Sequence, residues 1–246
     1  MTKLAIIGGT GLSRLDGLTV KRREMVKTPY GAPSCPLVFG ELNGVSIVFL
    51  SRHGNRESIP AHLVNYCANV WALFSVGVER IVAVGVVGAI DDACSVGDII
   101  IPDQIIDYTA DRSGSYESDV SDDHHLIDFS YPYNDALRQQ LIQGGKQAGV
   151  SIVDHGTYGA SSGPRLETVA EIRRMERDGC SIVGMSGMPE AALARELSLE
   201  YAFCAVAVNA AAGKGDGAID VTQWKSAIDT GMQSAQQLLS KTVVSL

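Results

Sequence analysis

The sequence predicts one α/β domain built on a mainly parallel or mixed sheet, and three observations carry that expectation. Short β-branched runs alternate with longer stretches of helical periodicity along the whole chain. The 246 residues are 46% hydrophobic and 20% charged, which is enough apolar material for a substantial core. No Pro-rich linker, low-complexity tract or repeat interrupts the pattern, so residues 1–246 are expected to form a single unit.

The elements follow in order. Leu4–Ile7 reads as a short buried strand running into Gly8-Gly9-Thr10-Gly11. Leu37–Leu42 and Val45–Leu50 flank Asn43-Gly44, a dipeptide that favours the positive φ of a tight hairpin turn. His62–Gly77 has Leu63, Tyr66, Val70 and Leu73 near one helical face. Ile81–Val87 and Ile99–Ile106 are apolar strands, the second followed by a polar stretch from Thr109 to Asp123. Asp135–Gly149 is helical and Val150–Tyr158 extended. Glu167–Gly179 is a charged amphipathic helix stopped by glycine. Ser181–Met185 is a strand, Pro189–Leu197 a helix with proline near its first turn, and Tyr201–Val208 a strand. A last helix is expected from about Val221 to Lys241.

Composition narrows the function. Acidic residues outnumber basic ones 28 to 20, a net charge of −8 that is poorly suited to a nucleic-acid backbone. No apolar run reaches the roughly 18 residues needed to span a bilayer. The apolar part of Met1–Gly9 is too short for a secretory signal. A soluble cytoplasmic protein without nucleic-acid or membrane partners is expected. Cys35, Cys67, Cys94, Cys180 and Cys204 form no Cys-x-x-Cys pair, so free and mostly buried thiols are expected. His53, His62, His124, His125 and His155 make no zinc-type spacing, and no metal is expected.

Five segments are candidates for chemistry, each with a plain structural alternative. Gly8-Gly9-Thr10-Gly11 follows a strand, so its amides and the Thr10 hydroxyl suit an anion; it also suits an ordinary tight turn. Its spacing is not that of a dinucleotide fingerprint, and Gly213-Lys214-Gly215 is not a Walker sequence. Ser51-Arg52-His53-Gly54 ends a strand, where an arginine fork beside a histidine fits phosphate or simply faces solvent. Ser186 precedes a helix, where free amides favour an anion and where a serine N-cap is equally at home. Glu167 is either a first-turn acid or an acceptor for a ligand N–H. Asn209 ends a buried strand, and its amide can read the edge of a heterocycle or form a turn.

Gly8-Gly9-Thr10-Gly11, Thr28-Pro29-Tyr30-Gly31-Ala32-Pro33-Ser34, Arg52-His53-Gly54, Val64–Leu73, Gly163-Pro164-Arg165 and Met185-Ser186-Gly187-Met188-Pro189-Glu190 occur together and in order. In this the chain resembles the methylthioadenosine phosphorylase and trimeric purine nucleoside phosphorylase family, from residue 4 to about residue 210. The resemblance implies a central mixed, barrel-like sheet flanked by helices, a homotrimer, and phosphorolysis of a purine nucleoside with inorganic phosphate as co-substrate and no other cofactor. It places Thr10, Arg52, His53, Ser186 and the backbone at Gly85-Val86 on phosphate, Met185 on the ribose, and Glu167 and Asn209 on the base. Asn209, Ser186 and His53 are the expected catalytic residues. His125 resembles a segment that enters a neighbouring subunit's sugar pocket.

Two departures narrow the expected substrate. Where the methylthioadenosine enzymes carry Asp-x-Asp, this chain has Asn209 and Ala211, as 6-oxopurine enzymes do at the asparagine. A 6-oxopurine offers a ring N–H to Glu167 and an oxo acceptor to Asn209; adenine presents the opposite polarity. No histidine follows His155 to meet a 5′-hydroxyl, whereas Ile219 and Val221 suit an apolar 5′ group. Leu166 stands where relatives have a phenylalanine that stacks on the purine. The expected substrate is 5′-methylthioinosine. The alternatives are a general 6-oxopurine nucleoside phosphorylase, a methylthioadenosine phosphorylase, or a non-catalytic nucleoside-binding protein on the same fold.

Overall fold

In a computed structural model that describes residues 3–116, 126–220, 222 and 224–246, strands and helices interleave from end to end. The strands are β1 (Leu4–Gly8), β2 (Thr19–Glu24), β3 (Leu37–Leu42), β4 (Val45–Ser51), β5 (Arg80–Ala89), β6 (Ile99–Ile100), β7 (Gln104–Asp107), β8 (Ile152–Val153), β9 (Thr157–Ala160), β10 (Ile182–Gly184) and β11 (Glu200–Ala210). The helices are α1 (Tyr66–Ser75), α2 (Asp135–Ala148), α3 (Val169–Arg177), α4 (Glu190–Glu196) and α5 (Trp224–Ser245). No helix among the described residues is long and apolar enough to cross a membrane. All five cysteines are free and buried, as expected.

Local chemistry sets the boundaries. Asn43 and Gly44 both take positive φ, 51° and 80°, and Leu42 pairs with Val45 across the hairpin. The helix expected from His62 starts at Tyr66 instead, because the Asn65 side chain accepts the Ala68 N–H and caps it there. Thr168 and Glu171 form a reciprocal capping box, so α3 begins after Glu167 and leaves that carboxylate on the preceding loop. Two expected strands are each divided: Pro102 interrupts Ile99–Ile106, and Asp154-His155-Gly156 interrupts Val150–Tyr158. Strand β2 was not expected; all six of its residues are exposed, and it forms the edge of the sheet.

The sheet is mixed. Its main path runs β2-β3-β4-β1-β5-β10-β9-β7, with β11 and then β6 and β8 branching from β5. Both faces are covered, which is why the central strands are continuously apolar. Along β11, Tyr201, Phe203, Ala205 and Ala207 join the core under α1 and α4, while Ala202, Cys204, Val206 and Val208 join the core under α2 and α5.

The branching creates the site. One edge of β5 is paired with β11 along nearly its whole length. The other edge is taken by β1 at Arg80–Ala83 and by antiparallel β10 at Gly88–Ala89. Between them, Val84–Val87 has no ladder partner on that edge. A break in a buried sheet leaves backbone groups to be satisfied by something else.

Candidate active site

The break opens into a cleft enclosing about 1090 Å³, its mouth included. Its walls hold Thr10, His53, Gly85, Val86 and Ser186 at one end, and Leu166, Glu167, Met185, Asn209, Ala211 and Ile219 further along. Eleven residues chosen from sequence therefore meet in one cavity, although they come from strands and loops spread over most of the chain. His125 and Val221 lie outside the described residues.

The Thr10–His53 end of the cleft is built from three chain segments drawn together. A Cβ on Gly9 would sit 2.6 Å from the Val84 carbonyl and 2.7 Å from Arg52 Nη1, so only glycine lets β1 approach β5 here. The turn is closed by Leu12 N–H on the Gly9 carbonyl, 2.9 Å, and it holds Thr10 at the cavity wall. The Val84 carbonyl faces the break, where Arg52 Nη1 donates to it at 2.8 Å. Strand alternation then turns the Val86 N–H toward the same break and the Gly85 N–H toward β11. Gly85 contributes by lacking a side chain: a Cβ there would press on Phe203 and on Ser186 Oγ.

Arg52 corrects the sequence reading. It was expected to clamp phosphate, yet it is fully buried and absent from the cavity wall. Its Nε and Nη2 donate to the two carboxylate oxygens of Glu190, at 2.7 and 2.9 Å, and Tyr201 donates to the same carboxylate at 2.9 Å. Burial works against the charge, but the adjacent Glu190 outweighs it and holds the guanidinium above its ordinary pKa. Its backbone N–H also bonds the Gly8 carbonyl at 2.9 Å. Arg52 thus ties the Gly9–Gly11 turn, the Val84–Val87 break and the start of α4 into one frame, from behind the wall.

His53 does face the cavity. Its Nδ1 lies 2.8 Å from the Ile59 carbonyl, which only accepts, so Nδ1 carries the proton and Nε2 remains an acceptor. Burial, then the neighbouring Arg52 charge, lower its pKa from 6.5. The imidazole is neutral at pH 7. In the unliganded protein its ring resonances are expected to titrate with a midpoint below 6.5; an NMR midpoint above that value would contradict this geometry.

The loop at Ser186 differs from a simple helix start. The amides expected to be free are both engaged: Ser186 N–H and Gly187 N–H donate to the buried Tyr158 hydroxyl, at 3.2 and 3.3 Å. Helix α4 begins only at Glu190. What Ser186 offers a ligand is therefore its hydroxyl.

At the other end, Glu167 accepts a hydrogen bond from Ser161 Oγ, which fixes one carboxylate oxygen. Asn209 Nδ2 spends one hydrogen on the Ala210 carbonyl, 2.7 Å away, leaving a second N–H and the amide oxygen. Arg112 braces the loop before Glu167 and the loop after Ser186, donating to the Ser162 carbonyl at 2.9 Å and to the Met188 carbonyl at 2.5 Å.

Sequence reasoning missed several wall residues. Glu57 accepts the Gly11 N–H at 3.1 Å, and Ile59, Trp224 and Ile228 add apolar surface. Trp224 and Ile228 sit on α5, whose amphipathic pattern was legible but whose first turn gave no sign of reaching the site.

Fold and cavity together define an α/β protein with a cleft at a break in its sheet, hydroxyl and amide groups at one end and the Glu167 and Asn209 side chains at the other. The profile of the Phosphorylase superfamily matches residues 3–244, and the chain belongs to that family. The probable S-methyl-5′-thioinosine phosphorylase of Pseudomonas syringae pv. tomato is 47% identical over 243 residues, covering 99% of each chain. The 6-oxopurine nucleoside phosphorylase of Pyrococcus furiosus is 41% identical over 218 residues, covering 87% of this chain and 81% of that protein. Among solved structures, the methylthioadenosine phosphorylase of Schistosoma mansoni in complex with adenine superposes with a TM-score of 0.93 at 28% identity, covering 99% of this chain and 91% of that one.

Proposed function

We propose that the protein is a pentosyltransferase that cleaves S-methyl-5′-thioinosine with inorganic phosphate, giving hypoxanthine and 5-methylthioribose 1-phosphate. The observation that carries the proposal is one cavity with neutral anion donors at one end and the Glu167–Asn209 pair at the other. The names of relatives such as the Pseudomonas protein support the same reaction.

In this reading Thr10, Ser186 and the Val86 amide donate to phosphate oxygens, while His53 Nε2 accepts from a protonated one. The held phosphate stands at the anomeric carbon, so attack needs no encounter from solution. As the C1′–N9 bond breaks, its electrons pass to the purine and positive charge develops on the sugar; a phosphate oxygen then bonds C1′, and the proton that phosphate gives up neutralises the purine. Phosphate stabilises the sugar charge; the Asn209 N–H, donating to the oxo group, stabilises the charge on the base. Glu167 accepts the ring N–H, and Met185 borders the sugar. No activated protein nucleophile, metal or organic cofactor is needed.

A general 6-oxopurine nucleoside phosphorylase is the second reading, supported by the Pyrococcus relative. The apolar surface of Ile219, Trp224 and Ile228 favours a methylthio group over a 5′-hydroxyl. Initial rates with methylthioinosine, methylthioadenosine, inosine and adenosine, with and without phosphate, test the proposal. Methylthioinosine is expected to be fastest, with no base released unless phosphate is present. Release without phosphate, or binding without release, would replace the reading with a hydrolase or a nucleoside-binding protein. We also place the protein in the cytoplasm as a homotrimer in which His125 completes a neighbour's sugar pocket. Sedimentation showing an active monomer would remove that part.

A further inference from the structure

Beneath the Thr10–His53 end of the cleft lies a buried hydroxyl that the reaction itself does not use. Tyr158 on β9 is fully buried, with its ring held edge-on by Phe203 at a centroid distance of 5.1 Å. The Gly184–Gly187 loop is folded directly onto it. A Cβ on Gly184 would lie 2.4 Å from the Tyr158 hydroxyl oxygen, and one on Gly187 would lie 2.9 Å from the ring. The hydroxyl accepts both the Ser186 and the Gly187 N–H.

A phenol has two lone pairs and one hydrogen. Two amides occupy the lone pairs, so one side chain holds both N–H groups of the loop. Burial keeps the phenol protonated, raising its pKa against the opposing pull of the two amides.

We propose that Tyr158 is the positioning residue for Ser186: by holding the Ser186 and Gly187 amides it fixes the loop that presents the Ser186 hydroxyl at the cavity wall. Ser186 Oγ then meets a phosphate oxygen from a fixed position. The inference rests on the reading that Ser186 holds phosphate, and the test separates the two.

The experiment is a double-mutant cycle in phosphate kinetics, using Tyr158→Phe, Ser186→Ala and the double variant, with melting curves on each. A lost oriented hydrogen bond corresponds to about a tenfold change. Tyr158→Phe is expected to raise the phosphate KM by about that factor, with the nucleoside KM changed less than about twofold. Ser186→Ala is expected to do the same, and the double variant to be no worse than Ser186→Ala alone. If Ser186→Ala leaves the phosphate KM unchanged, the phosphate reading fails. If Ser186→Ala raises it while Tyr158→Phe does not, or if the two effects add, the positioning role fails and the phosphate reading stands. Should Tyr158→Phe not fold, Gly187→Ala displaces the ring while keeping its hydroxyl. It is expected to give the same selective rise, and an unchanged phosphate KM there would overturn the proposal.

Discussion

Glu190→Ala is expected to remove about 3–5 kcal/mol of stability, because it leaves the Arg52 guanidinium charged and unpaired in the core. Both side chains are fully buried, and Arg52 donates to both carboxylate oxygens of Glu190. Tyr201 would lose its acceptor in the same step. Against a typical total of about 5–15 kcal/mol, such a loss is large enough to lower expression or abolish folding. Denaturant unfolding of the purified variant measures it; a change below about 1 kcal/mol would show that the pair is not a strut. Arg52→Met combined with Glu190→Leu removes both charges together, and is expected to recover much of the stability. Phosphate affinity is not expected to recover with it. The Gly9–Gly11 turn, the β5 break and the start of α4 would have lost the side chain that joins them. A stable double variant with a raised phosphate KM would therefore separate framing from folding.

The fate of Arg52 shows where sequence reading stops. Arg52-His53 at a strand end was legible as a place for chemistry, and His53 does face the cavity. Nothing local distinguishes an arginine that reaches a ligand from one that turns inward. The partner that turns it, Glu190, is 138 residues away. The same limit applies to the Ser186 amides, whose acceptor is a tyrosine 28 residues earlier. Edge strand β2 was missed for a different reason: Thr-Val-Lys-Arg-Arg-Glu has no buried face, so period-two burial cannot mark it. The central strands and the hairpin at Asn43-Gly44 were legible because burial and turn geometry both act over a few residues.

Base choice carries the other large expected effect. The far end of the cavity presents Glu167, fixed by Ser161, and an Asn209 amide with one N–H still to donate. A 6-oxopurine satisfies both groups. Adenine would set an acceptor against Glu167 and a donor against the asparagine N–H, leaving buried polar groups unpaired at roughly 1–3 kcal/mol each. Sites that read a polar edge in this way reject the wrong partner by factors of roughly 10⁴. The kcat/KM for methylthioinosine is therefore expected to exceed that for methylthioadenosine by a factor of that order. Asn209→Asp with Ala211→Asp supplies acceptors for an amino group and for a protonated ring nitrogen. Ala211 lines the same cavity, so its new carboxylate would enter the base pocket. The double variant is expected to gain methylthioadenosine activity and lose most of its methylthioinosine activity. Glu167 limits the gain, since it still requires a ring N–H that adenine lacks, and Glu167→Gln in the same background is expected to raise it further by offering a donor. Equal cleavage of the two nucleosides by the unaltered protein would sink the base-edge argument. The Asn209–Ala211 segment would then serve only to close the strand end.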